Sequence, residues 1–259
     1  MAASYASGQL DPLEAWVRGL SKIDVWRLLD ATFSGGGVMR GDRLMRAVGE
    51  QLEDRHIESL PLKFAAVAAD LETGKEVWLQ HGPMLHAVRA SSGLPGLFTP
   101  VSHEGRWLID GGVVNPVPVS LCRAMGADYV IAVNLNLSVA SRGSRQRPRT
   151  VLVESDDDSD STEGLELLSK WSGLLENFVN SFRADRQENE PGMLEVMSTT
   201  INIMQDHITR SRMAGDPPDL TVTPRLGHFH LMDFHRAAEA IEIGHRAVQR
   251  VAAELAAIR

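Results

Sequence analysis

Arg106-Trp107-Leu108-Ile109-Asp110-Gly111-Gly112, taken with Tyr129-Val130-Ile131-Ala132-Val133 downstream, decides the fold of this 259-residue chain. The first stretch is a short apolar run closed by a carboxylate and two glycines. The second reads as the strongest buried strand in the sequence. Between them Pro118 to Met125 carries helical spacing and stops at Gly126, a residue suited to a helix C-terminus. Strand, helix and strand in that order predict a parallel crossover between the segments near 109 and 131. Upstream, Lys63 to Asp70 is a mostly apolar run of strand length, Glu72-Thr73-Gly74 supplies a turn, and Glu76 to Gln80 returns as a hairpin partner. Residues 84–90 have helical spacing. Strands interleaved with helices make an α/β fold.

The flanks agree with that architecture. Asp11-Pro12-Leu13-Glu14 predicts a helix capped by Asp11, and Ser21 with Asp24 predicts a second start with Val25, Trp26, Leu28 and Leu29 as its apolar stripe. Leu44, Met45, Val48 and Leu52 place a helix over Asp42 to Leu52, and Asp219 to Pro224 reads as a last short strand. A closing helix is predicted from Asp233 to Ile258. Residues 138–164 pass from Arg142, Arg145, Arg147 and Arg149 to Asp156-Asp157-Asp158 and Asp160 with little to bury, which predicts a mobile acidic loop inside a single domain spanning 1–259. Leu165 to Arg212 is helical in pattern, with ordinary core packing as its expected role and a cover over the site or a partner surface as the alternatives.

Composition narrows the function classes. Lys and Arg total 26 against 34 Asp and Glu, a formal charge of −8, which disfavours nucleic acid as a partner. The lone Cys122 makes no internal disulfide and suits a reducing, cytoplasmic setting. No apolar run approaches the ~20 residues of a bilayer span, so any membrane contact is peripheral.

Several residues carry candidate chemistry. Ser34-Gly35-Gly36-Gly37 precedes a helix and reads either as a structural turn or as a ligand-facing loop; it lacks the Lys-Ser/Thr of a phosphate loop and the preceding strand of a dinucleotide site. His228-x-His230 puts two rings on one face of an extended segment, a metal pair or a polar surface. Asp70 and Asp110 stand at strand ends, where α/β sheets place ligands. Asp110 is the better candidate, because Gly111-Gly112 lets the chain bend sharply beside it. Its alternative role is that of a turn cap.

Ala90-Ser91-Ser92-Gly93-Leu94-Pro95-Gly96-Leu97-Phe98-Thr99-Pro100-Val101, followed by Leu108-Ile109-Asp110-Gly111-Gly112-Val113-Val114-Asn115-Pro116-Val117-Pro118, closely resembles the patatin-like phospholipase family. Met39 to Asp42, Ala66 to Gly74, Gly126 to Val133, Pro217-Pro218-Asp219 and Asp233 to Ala237 extend the likeness over most of the chain. The resemblance implies a three-layer α/β/α fold and hydrolysis of lipid carboxylic esters by a Ser–Asp dyad without histidine, metal or organic cofactor. It maps the dyad aspartate onto Asp110 and implies a lipid or acyl ester as the partner. The family's nucleophile motif G-x-S-x-G occurs nowhere in the sequence, and Ser34, within Phe33-Ser34-Gly35, does not replace it. Ala2 to Gly8 resembles the later part of the helix after the catalytic serine, which puts that serine about one to two helical turns ahead of Met1. The expectation is therefore a fold incomplete on its N-terminal side, with an inactive scaffold that binds lipid or a partner as the alternative.

Overall fold

The computed structural model describes residues 1–30, 37–135, 193–229 and 233–258. The chain divides into two compact units, residues 1–141 with 201–259, and residues 142–200. The Ser34–Gly36 part of the glycine loop, the acidic segment 138–164, the first part of the 165–212 section and His230 lie outside the described residues.

The first unit opens with three helices, α1 (Ala2–Ala6), α2 (Leu10–Arg18) and α3 (Lys22–Leu28). The Ser21–Asp24 start is a true capping box: the Ser21 hydroxyl accepts from the Asp24 amide, and the Asp24 carboxylate accepts from the Ser21 amide at 3.0 Å. Asp11, by contrast, does not cap α2. The helix begins at Leu10 with Gln9 as its cap, because the Gln9 amide donates to the Ser4 carbonyl at 2.7 Å and turns the chain straight out of α1. Pro12 then falls within the first turn, where an amide needs no intrahelical acceptor.

Strand β1 (Gly37–Met39) and helix α4 (Asp42–Gln51) follow, then β2 (Ala66–Asp70), β3 (Glu76–Leu79), α5 (Met84–Ser91), β4 (Gly96–Phe98), β5 (Val101–His103) and β6 (Arg106–Asp110). Four of these strands form an antiparallel sheet in the order β3-β2-β6-β5. Cross-strand partners share a face. Ala66 opposite Leu79, Ala68 opposite Asp110, and Leu108 opposite both Asp70 and Val101 define one such face. That face is covered: Ala66, Ala68, Leu79 and Leu108 form one buried cluster with Ala3 and Ala6 of α1, Leu13 of α2, and Met84, Ala87 and Ala90 of α5. The alanines of β2 permit this close approach of helix to strand. Asp110 therefore sits at the end of the helix-covered face, which is why a carboxylate there loses water.

Beyond β6 come α6 (Val119–Ala124), β7 (Ile131–Val133), the long helix α7 (Met193–Gly215) and β8 (Leu220–Val222). The chain closes with a 3-10 turn (Asp233–Arg236), α8 (Ala237–Arg250) and α9 (Ala252–Ala256), so the expected single C-terminal helix is interrupted at Val251. The architecture is α/β, as the alternation of elements predicts, but two local expectations are corrected. The parallel crossover does not join the strands near 109 and 131. Both edges of β6 are occupied, by β2 and β5, and the parallel pairs are instead β1 with β4 and β7 with β8. Nor is Tyr129–Val133 buried throughout: Val130 and Ala132 are buried, whereas Ile131 and Val133 are 46% and 54% exposed. Its β8 partnership is fixed by Asp219, whose Oδ2 accepts from the Val130 amide at 2.7 Å and from Arg123 Nη2 at 2.9 Å. Among the described residues no helix is long and apolar enough to cross a membrane.

Candidate active site

The site is built on the bend that ends β6. Asp110 leads into a 3-10 turn (Gly111–Val113), and its Oδ1 accepts from the Gly112 amide at 2.6 Å. Its own amide donates to the Gly93 carbonyl at 3.0 Å, which ties the bend to the segment after α5. The Asn115 amide donates to the Gly111 carbonyl at 2.8 Å, and Asn115 Nδ2 donates to Glu76 Oε1 at 2.8 Å. The buried Asn115 thus holds the turn from its far side.

Gly111 is required by proximity. A Cβ at that position would stand 2.1 Å from the Val67 carbonyl oxygen and 2.5 Å from the Val67 carbonyl carbon, so the turn lies directly on the β2 backbone. Gly112 faces side chains instead, with Gln205 Nε2 at 2.4 Å and Asp110 Oδ1 at 3.0 Å from its virtual Cβ.

Asp110, Gly111 and Gly112 border a cavity of about 460 Å³ whose wall includes Met1–Ala3, Phe64, Val88, Val117, Val133 and Leu135. That volume lies within the ordinary range for a small-molecule site, and the lining is mostly apolar with a few polar groups. Burial pushes the Asp110 carboxyl above the usual carboxylate range, opposed in part by the Gly112 amide. A carboxylate raised in this way is a stronger base than one in water. Hydroxyls at the cavity belong to Ser91 and Ser92, and the latter donates to the Val88 carbonyl at 2.8 Å.

Of the other candidates, the described Asp70 and His228 are not brought to this cavity. Asp70 caps the β2–β3 turn: its Oδ1 accepts from the Glu72 and Thr73 amides at 3.0 and 2.9 Å. The Thr73 amide bond first, and then the Glu72 amide, hold its carboxyl below the usual range against the effect of burial. His228 Nε2 pairs with Glu239 Oε1 at 3.1 Å, and its ring packs on Phe229, a polar surface role. Among the described residues no group of three or more His, Cys, Asp or Glu side chains is arranged to hold a metal. Two contributors escaped the sequence reading. Gln205 of α7 reaches the Asp110 turn from a helix whose pattern suggested core packing. Arg89 of α5 donates from Nε to the Arg40 carbonyl at 3.0 Å and from Nη2 to the Thr99 carbonyl at 2.8 Å, anchoring the helix beside Gly93. Its only sequence signal was a basic residue on an otherwise apolar helix.

Comparison with known proteins converges on one group. The family model described as patatin-like phospholipase matches residues 1–123. An uncharacterized NTE family protein of Mycobacterium tuberculosis is 33% identical over 275 aligned positions, which span 93% of this chain and 76% of the relative. A lysophospholipase NTE1 of Pyricularia oryzae is 24% identical over 88% of this chain and 14% of its own length. A patatin-like phospholipase domain-containing protein of Caenorhabditis elegans is 32% identical over 47% of this chain and 9% of its own length.

Proposed function

The chain belongs to the patatin-like phospholipase family, and from the Asp110 cavity we propose that it hydrolyses carboxylic esters of lipids with Asp110 as the general base of a Ser–Asp dyad. One observation carries this: a carboxylate whose pKa is raised by burial, at a glycine-bounded bend, opens onto an apolar cavity able to receive an acyl chain. In the proposed reaction Asp110 takes the proton of the serine hydroxyl as its oxygen bonds to the ester carbonyl carbon. Collapse of the tetrahedral intermediate expels the alcohol, which leaves with the proton from Asp110. Water then repeats both steps and frees the fatty acid. The lipid is taken from a membrane surface by peripheral contact, in the cytoplasm.

The nucleophilic serine is assigned by this proposal to polypeptide preceding Met1. Two features support it: the sequence has no G-x-S-x-G, and the first residues of α1 stand on the same cavity wall as Asp110. An esterase assay with p-nitrophenyl esters tests it on two proteins, the 259-residue chain and the product of the reading frame extended upstream. The expected result is turnover by the extended protein alone, abolished by Asp110→Ala, since loss of a nucleophile costs on the order of 10⁶ in rate. Turnover by the shorter chain that Asp110→Ala abolishes would put the nucleophile inside it. A stop codon directly ahead of Met1, with no other start, would favour a scaffold that binds lipid without cleaving it.

A further inference from the structure

Gln205 borders the cavity from α7, is half-buried, and makes no hydrogen bond among the described residues. Its amide is not among the sealed, unpartnered polar atoms of the interior, so it stays open to the cavity and free to meet a bound acceptor. Its position is not accidental drift of a long side chain, because the helix is tied to the turn that carries Asp110. Arg212 Nη2 pairs with Glu76 Oε2 at 3.0 Å, while Glu76 Oε1 receives Asn115 Nδ2 at 2.8 Å. One carboxylate therefore links the helix bearing Gln205 to the residue that locks the Asp110 bend. Gly112 completes the arrangement by having no side chain: the Gln205 amide nitrogen occupies the space a Cβ would take, with Asp110 Oδ1 bordering the same space. Donor and base thus face one opening.

We propose that Gln205 is a specificity-determining residue of this pocket, donating its side-chain N–H to an oxygen of the acyl group held beside Asp110. This rests on the acyl-ester reading of the cavity. Glutamine suits the task because its amide donates without adding charge next to a carboxylate that must work as a base.

The test is calorimetric titration of the full 259-residue chain with octanamide, a neutral acyl amide that keeps the carbonyl oxygen of an ester. Gln205→Leu and Gln205→Met, which is of similar length and has neither N–H nor charge, should each weaken binding about five- to tenfold, the worth of one net hydrogen bond. Thermal unfolding of both variants should match the parent, so that lost folding is not mistaken for a lost contact. Gly112→Ala, whose methyl would displace the flexible amide end, should weaken octanamide to a similar degree. Equal affinity of the parent and Gln205→Met would overturn the inference and leave the acyl-binding reading standing. No binding of octanamide to the parent would overturn both.

Discussion

Asp70 and Asp110 end neighbouring antiparallel strands at opposite ends of the same sheet face, and the contrast between them separates a turn-capping carboxylate from a cavity-facing one. Asp70 is saturated: two backbone amides of its own turn converge on one oxygen, and its charge is favoured. Asp110 receives a single amide, is half-buried at the cavity, and its charge is disfavoured by the partial loss of water. The glycines follow suit. Gly74 in the Asp70 turn is chosen for a left-handed backbone with φ of +67° and open space around it, whereas Gly111 is chosen because another backbone lies where its side chain would be. A turn that only reverses the chain uses glycine for conformation; the turn beside the cavity uses it for proximity.

Substitutions at the two turns sharpen that contrast. Gly111→Ala should have the largest effect, with a loss on the order of 3 kcal/mol in urea unfolding, because a backbone carbonyl cannot step aside for the methyl. Gly74→Ala should cost only about 1–2 kcal/mol by the same measurement, the usual penalty of a left-handed alanine. The aspartates should differ in sign. Asp70→Asn should lower the melting temperature at neutral pH, and the deficit should shrink as pH falls through the depressed Asp70 pKa, where the native carboxylate itself becomes protonated. Asp110→Asn should raise the melting temperature at neutral pH. Its advantage should be absent below the ordinary carboxylate range, where the native Asp110 is protonated folded or unfolded, and should grow as pH rises toward the elevated folded value. Melting curves between pH 3 and 7 read both trends, and parallel behaviour of the two variants would erase the distinction. The smallest change belongs to Gly112→Ala, about 1 kcal/mol or less, because the nearest atom it meets is the end of the flexible Gln205 side chain and the Asp110 Oδ1 at 3.0 Å has only to give slightly.

What could be seen in the sequence was what local pattern decides. The β2–β3 hairpin, the Ser21 capping box, α5 and the Asp110-Gly111-Gly112 bend each depend on residues within a few positions of one another, and each stands where periodicity and turn chemistry put it. Partner choice was not visible. Whether β6 accepts β7 depends on β2 and β5 having taken both its edges, and no property of Tyr129–Val133 encodes that. For the same reason the exposure of Ile131 and Val133 could not be read from their hydrophobicity. Gln205 was hidden differently: its importance comes from Gly112, more than ninety positions away in the chain, leaving a space for it, and a lone glutamine on a mixed helix gives no local sign. The sequence allows Asp110 to be either base or cap, and the structure gives it an amide bond of the capping kind together with a half-buried, cavity-facing position.

The Asp219 clamp on Val130 spans 89 positions, whereas the sheet that carries Asp110 is assembled from segments lying between Ala66 and Asp110. During synthesis the N-terminal portion emerges first and nearby pairings close faster than distant ones. Asp110 and its bend are accordingly expected to close ahead of the β7–β8 pair and the approach of Gln205, so that the pocket's polar floor precedes the wall that α7 supplies.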